Sequence, residues 1–423
     1  MSVRKRSWVT PKGDEKTAWV VDYFDTKNVR RLKTFSKKKD ADAFAANTKV
    51  EVRDGTHVAD RASVTVRKAG ENWIASSEAA GLERSTVAQY QRHLDFHIAP
   101  KEGEERFLAD VLLSKLTVPV VREFEDDLRN AGRSAAMIKK VIGSLGAILA
   151  DAQERGHATR NPVRDIRVRR KGKQRRAEKR QNGKLKVGVD IPTPAEIKAI
   201  VAALEGRWRP ILLTAIFSGL RSSELRGLRW QDVNLEARTI SVHQRVDEFG
   251  EIGPPKSEAG ERTVKVPPIV INALREWRLA CPRRKTGRTD DNGRDVTELH
   301  YVFPNGAGNP ESHGNVINRG LIPAMVKAGV SVPKLDREGN IVRDKDGKAV
   351  MTGKYTGLHA LRHFYASWLM NRPQNGGLGL PLKDVQERMG HSSIVMTADT
   401  YGHLFQGEDN GDELATAEAA LLG

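Results

Sequence analysis

Thr214-Ala215-Ile216-Phe217-Ser218-Gly219-Leu220-Arg221-Ser222-Ser223-Glu224-Leu225 reads as two helices meeting at a tight corner. Gly219 can take the backbone conformation such a corner needs, and Ser222 can cap the second helix. An arginine held between two apolar helices is positioned rather than free in solvent. Glu224, three residues on, is within reach to orient the Arg221 guanidinium. Taken alone, the two read better as an ordinary surface pair.

The order of reactive residues downstream turns the balance towards a shared site. Lys256 sits in a turn just before the strand-like Arg262-Thr263-Val264-Lys265-Val266. His359-Ala360-Leu361-Arg362-His363 lies on a helix after Gly357, so His359 and Arg362 share a face and can reach one phosphate. His391 follows a helix end in Met389-Gly390-His391-Ser392-Ser393, and Tyr401 stands in Asp399-Thr400-Tyr401-Gly402-His403. Two arginines can grip phosphate oxygens in bidentate fashion. A lysine or histidine can protonate a leaving alkoxide. A tyrosine hydroxyl can attack phosphorus and become a covalent phosphotyrosine. The pair His359/His363 has metal-ligand spacing, but no acidic or Cys ligand stands near it, and no metal or other cofactor is expected.

The chain has 423 residues and a formal net charge of +17, with a sequence pI near 9.9. Such an excess favours a polyanionic partner through steering and counterion release. No apolar run is long enough to span a bilayer, and the basic start MSVRKRSWV is not followed by an apolar stretch. A membrane partner is therefore not expected. One cysteine, Cys281, excludes an internal disulfide framework and fits a cytoplasmic setting.

The organisation reads as multidomain α+β. Residues 1–60 form a small three-stranded sheet plus one helix: strands at Trp8-Val9, 18–24 and 29–35, then a helix over 37–52 with Ala41, Phe44, Ala45 and Thr48 inward. The third strand carries Arg30, Arg31 and Lys33, which could enter a DNA groove. Residues 61–166 read as a four- or five-helix bundle ending at Asn161-Pro162. Residues 167–189 are a basic linker; Arg169, Arg170 and Lys171 suit tracking a phosphate backbone. A mainly α domain with a small antiparallel sheet spans 190–406, opened by a Thr193/Glu196 capping box. Within it, 283–295 reads as a polar loop and 334–354 as an inserted surface hairpin. A tail, 407–423, carries a short helix with Leu414, Ala415, Ala417, Leu421 and Leu422 on one face.

Arg221 in SGLRSSEL, Lys256 in its turn, HALRH at 359–363, MGHSS at 389–393 and DTYGH at 399–403 together resemble the tyrosine recombinase family, the phage-type integrases. The upstream bundle resembles that family's core-binding domain, and the first sixty residues resemble its small arm-site-binding domain. The resemblance implies cutting and rejoining of DNA at specific sites through a 3′-phosphotyrosyl link, integrating and excising a phage or other mobile element. It implies Tyr401 as nucleophile, Arg221 and Arg362 as phosphate clamp, Lys256 as acid for the 5′-oxygen, His359 in proton transfer or phosphate contact, and His391 on the phosphate. Positive charge from Arg221, Arg362 and His391 would favour ionised Tyr401. Implied partners are double-stranded attachment sites, a homotetramer on DNA, a host DNA-bending protein and an excision factor. Related cutting-and-rejoining enzymes, and a DNA-binding regulator that no longer cuts, are the competing readings.

Overall fold

The computed structural model describes residues 1–10, 14–26, 28–53, 63–100, 108–166, 184–336, 338–404 and 411–422. The chain divides into two compact units, 1–170 and 171–423. The linker residues Arg169, Arg170 and Lys171 lie outside the described residues. No helix among those described is long and apolar enough to cross a membrane.

The first unit opens with an antiparallel sheet in the order Ser2–Val9, Glu15–Phe24, Arg30–Phe35. Its first strand is eight residues long, well beyond the expected pair Trp8-Val9. The helix Lys38–Arg53 covers one face, burying Val21, Tyr23 and Ala41. Strand alternation then separates the three basic residues expected to act together. Arg31 and Lys33 pair across from Tyr23 and Val21, on the helix-covered face. There Arg31 bonds Asp25 at 2.8 Å, and the Lys33 ammonium lies 4.3 Å from the centre of the Phe44 ring. Arg30 faces the opposite side, where the register also places Arg4 and Arg6. Trp8, Phe24 and Leu32 are exposed on that open face.

The rest of this unit is a helical bundle. Its helices are Val66–Ala79, Arg84–His93 (continued by a π-turn to Ile98), Val118–Asn130 and Ala135–Glu154. Apolar residues at helical spacing, among them Val121, Phe124, Leu128, Val141, Leu145 and Ile148, form one core. Pro162 does not close the last helix, which stops at Glu154. It opens a short turn, Pro162–Asp165, where its missing N–H costs nothing.

In the second unit the Thr193/Glu196 capping box opens the helix Pro194–Ala203. Helix Trp208–Ser218 is buried almost all round, as a helix apolar on every side must be. It packs against Pro268–Ala280 and Leu358–Met370. A three-stranded antiparallel sheet, Val233–Asn234, Thr239–Val242 and Arg262–Lys265, flanks this core. Residues 283–295 are not a loop: Arg284–Thr289 pairs with Asp295–Glu298. The 334–354 insertion holds two successive tight turns, bridged at Leu335–Ile341 and Arg343–Ala349. At its end Lys354 and Tyr355 both bond Glu196, each at 2.7 Å. That clasp fastens the insertion to the domain's first helix before the Leu358–Met370 helix begins.

Gly219 ends the central helix with φ of 64°. A Cβ there would meet the Tyr365 ring at 2.4 Å. Gly219→Ala in the full chain should therefore cost about 2 kcal/mol or more, from left-handed strain plus overpacking. Denaturant titration should show a lowered midpoint; an unchanged one would mean that the corner relaxes freely.

Candidate active site

The left-handed turn at Gly219 reverses the chain so that Arg221 precedes the short helix Ser222–Gly227. Ser222 is the first helical residue, and the capping position falls to Arg221 itself. Glu224 Oε2 accepts the Arg221 backbone N–H at 2.9 Å, and its Oε1 accepts from Arg221 Nη1 at 2.7 Å. Arg221 Nη2 donates to the Gly390 carbonyl at 2.8 Å. Arg362, on the Leu358–Met370 helix, donates from Nη1 to the Gly219 carbonyl and from Nη2 to the Met389 carbonyl at 2.5 Å. The two guanidiniums thus fasten the Gly219 corner to the Met389-Gly390 turn. Each still has N–H groups to offer an anion, since five are available per side chain.

Gly390 is also left-handed, and a Cβ on it would lie 2.8 Å from Arg262 Nη1 and 2.9 Å from the Ala259 carbonyl. Sequence reasoning missed Arg262, which starts a strand and carries no motif. Its side chain is 7% exposed, donating to Glu224 Oε2 at 3.0 Å and to the Arg388 carbonyl at 2.8 Å. Burial alone would raise the Glu224 pKa, but Arg262 and then Arg221 bring it below the usual carboxylate range. The carboxylate is therefore charged and links two guanidiniums.

His391 is buried, with Nδ1 2.9 Å from Thr397 Oγ1. Its ring lies parallel to that of Tyr401, centroids 6.2 Å apart. Burial, with Arg362, Arg221 and Arg262 nearby, pushes its pKa down to about 4, so it is neutral at pH 7 and brings no positive charge. Tyr401 ends the helix Ile394–Tyr401 and is 2% exposed. Arg362 and Arg221 do pull its pKa down, but burial outweighs them and leaves it at about 12. Arg221 and Arg362 act on the phenol in the expected sense, His391 does not, and Tyr401 is neutral in this structure. Its hydroxyl lies 2.8 Å from Nδ1 of His363, a residue read from sequence only as half of a weak metal pair. His359 is exposed; desolvation of its inner edge lowers its pKa, with Arg362 and Arg221 adding to the effect.

The structure thus brings Arg221, Glu224, His359, Arg362, His391 and Tyr401 together. Lys256 is not drawn in. It is exposed, on a loop whose far end, Ala259 and Arg262, rests against Gly390.

A family model described as "Phage integrase family" matches residues 192–408, just over half of the chain. This chain belongs to the phage integrase family. A XerC-like tyrosine recombinase of Caldanaerobacter subterraneus subsp. tengcongensis is 26% identical over 380 residues, spanning 87% of this chain and 86% of that protein. Among solved structures, the Tn1549 transposon integrase in complex with a circular intermediate DNA superimposes with a TM-score of 0.56 at 21% identity, over 85% of this chain and 100% of that one. A lambda integrase tetramer bound to a Holliday junction gives 0.51 at 16% identity, over 92% and 96%. The fold is that of the integrases, and the protein is a site-specific tyrosine recombinase working through a phosphotyrosine intermediate.

In this recombinase half-buried His363 and buried His391 have pKa values depressed to about 4. Unfolding restores their ordinary value near 6.5, so below pH 6.5 the unfolded chain binds more protons than the folded one. Stability should fall as pH drops from about 6.5 towards 4. Discounted for partial solvent screening, the loss at pH 5 is on the order of 1–2 kcal/mol, or ~2–4 °C per kcal/mol in Tm. Thermal unfolding of the parent and His391→Gln at pH 7 and pH 5 measures it; the variant should lose less on acidification.

Proposed function

We propose that this recombinase integrates and excises a phage or other mobile element at double-stranded attachment sites. Tyr401 is the nucleophile, Arg221 and Arg362 hold the scissile phosphate, and Lys256 closes onto the site with DNA to protonate the 5′-oxygen. His359 and His391 contact the phosphate from either side. The observation that carries this reading is a buried Tyr401 phenol that feels the charge of two arginines whose guanidiniums are themselves fixed to backbone carbonyls. Preorganised cations need no reorganisation as charge builds on the non-bridging oxygens. A nicked suicide duplex should trap a covalent protein–DNA adduct with the parent chain. Tyr401→Phe should form none while binding the same duplex with nearly parental affinity, and an adduct from that variant would remove Tyr401 from the mechanism.

The assembly we propose is a tetramer on DNA, joined through the tail. Leu421 and Leu422, on the tail helix Gly411–Leu422, are 84% and 74% exposed. An apolar helix end left in water has surface to bury on a neighbouring subunit. The side chains of Leu414 and Ala417 lie outside the described residues. A host DNA-bending protein and an excision factor complete the proposed partners, in a nucleoid-associated, cytoplasmic setting.

The amino-terminal sheet reads a second DNA site through its open face rather than through the third strand alone. Arg4, Arg6 and Arg30 share that face with exposed Trp8 and Leu32. Arg30 and Arg4 both reach Asp22, the former at 2.6 Å, which holds them in place on the sheet. Replacing Arg4, Arg6 and Arg30 together by Ala should weaken binding to the outlying site by about tenfold or more at physiological salt. Protection of the crossover core should be unchanged. Footprinting on an attachment-site fragment checks it, and an unaltered outlying footprint would move the contact elsewhere.

A further inference from the structure

Among the described residues, His363 is the one side chain within hydrogen-bond distance of the Tyr401 hydroxyl, at 2.8 Å from Nδ1. The neighbouring groups are unsuited to taking a proton from it. Arg221, Arg262 and Arg362 have no free lone pair. Glu224 is committed to two guanidiniums. His391 turns its ring face to the tyrosine and its Nδ1 to Thr397. His359 meets the His363 ring edge to face, centroids 5.0 Å apart, and not the phenol. A buried phenol that resists ionisation needs an acceptor already in contact when it attacks. Resting on the reading of Tyr401 as nucleophile, we propose that His363 is a catalytic residue, the acceptor of the Tyr401 proton during cleavage and its donor during rejoining.

In cleavage, Tyr401 Oη forms its bond to phosphorus while its proton passes to Nδ1 of His363. The phosphorus–O5′ bond breaks, and its electron pair leaves with the 5′-oxygen, which takes a proton from the acid on the far side. In rejoining, the 5′-hydroxyl attacks phosphorus and returns its proton to the group that had protonated it, the phosphorus–Oη bond breaks, and the imidazolium returns its proton to the departing phenolate. The proton cycles between two side chains of one subunit, and no co-reactant is consumed. For this, neutral His363 must carry its hydrogen on Nε2, leaving the Nδ1 lone pair facing Oη. Burial, with His359 and Arg362 nearby, depresses its pKa in the free protein and keeps the ring neutral, with its lone pair unprotonated. The titratable and charged groups facing this ring are His359 and Arg362 on its own helix, the neutral His391 and Tyr401 across the site, and Asp190, which works in the opposite sense to the cations. A bound phosphodiester would add negative charge beside Arg362 and Arg221 and so favour the imidazolium at the moment it forms.

The test is the adduct-forming rate of full-length His363→Asn on a nicked suicide duplex, against the parent and Tyr401→Phe, from pH 6 to 9. Asn keeps a polar atom near the Nδ1 position but is no base. The expected result is near-parental DNA binding, a rate at pH 7 lower by about 100-fold, and recovery with rising pH as hydroxide replaces the missing base. A rate within about threefold of the parent, below what general-base catalysis contributes, would overturn the proposal. So would a loss that pH does not relieve, since that would mark His363 as a positioning residue only. A parent chain that forms no adduct would instead break the reading of Tyr401. If the variant does not fold, ¹⁵N-histidine spectra of the intact parent decide the matter. An Nε2–H tautomer at His363 supports the proposal, and an Nδ1–H tautomer, donating to the phenol, overturns it.

Discussion

A buried cation holds the recombinase's site together. Arg362 is 3% exposed, and burial, with Arg221 and Arg262 close by, pushes its pKa down to about 9. It is still charged at neutral pH, so its desolvation must be met inside the protein. The carbonyls of Gly219 and Met389 meet it. That choice of acceptor matters: a carboxylate would have cancelled the charge, whereas carbonyl dipoles satisfy the hydrogens and leave the positive field intact. The Gly219 corner and the Met389-Gly390 turn, far apart in sequence, are held in register as a consequence.

The remaining electrostatics depend on that arrangement. One carboxylate, Glu224, serves Arg221 and Arg262 together, so the three guanidiniums are only partly neutralised. The excess positive charge repels protons from the histidines, which burial has already driven neutral. The same field pulls the Tyr401 pKa down, yet burial wins. The resting site is therefore charged at its arginines and neutral at His363, His391 and Tyr401.

The local turns show how much of the fold was legible. Asp247, Asp290, Asn305, Asp336 and Asp344 each accept backbone N–H groups two and four residues on. Each has a left-handed glycine three residues on: Gly250, Gly293, Gly308, Gly339 and Gly347. Two of these were readable as turns in the insertion. The same signal at Asp290-Asp291-Asn292-Gly293 was submerged in a polar stretch, and residues 283–295 passed as a loop although the chemistry for a hairpin was present. Strand alternation was equally legible for Arg30, Arg31 and Lys33. What strand parity alone could not say was which face the helix Lys38–Arg53 covers.

By itself the sequence determined most of the element types, the capping box at Thr193, the glycine corner at Gly219 and the order of reactive residues, because each depends on neighbours within a few positions. It also determined the chain's positive balance, which is additive over residues. Only the tertiary structure decided which groups touch and which are charged. Arg262 acquires a role because Arg388, Gly390 and Glu224, far away in sequence, converge on it. His363 acquires one because the Leu358–Met370 and Ile394–Tyr401 helices bring it 2.8 Å from a hydroxyl 38 residues later. Protonation state depends on the whole surrounding volume, through desolvation and charges from several elements at once. No local pattern in the chain encodes that sum.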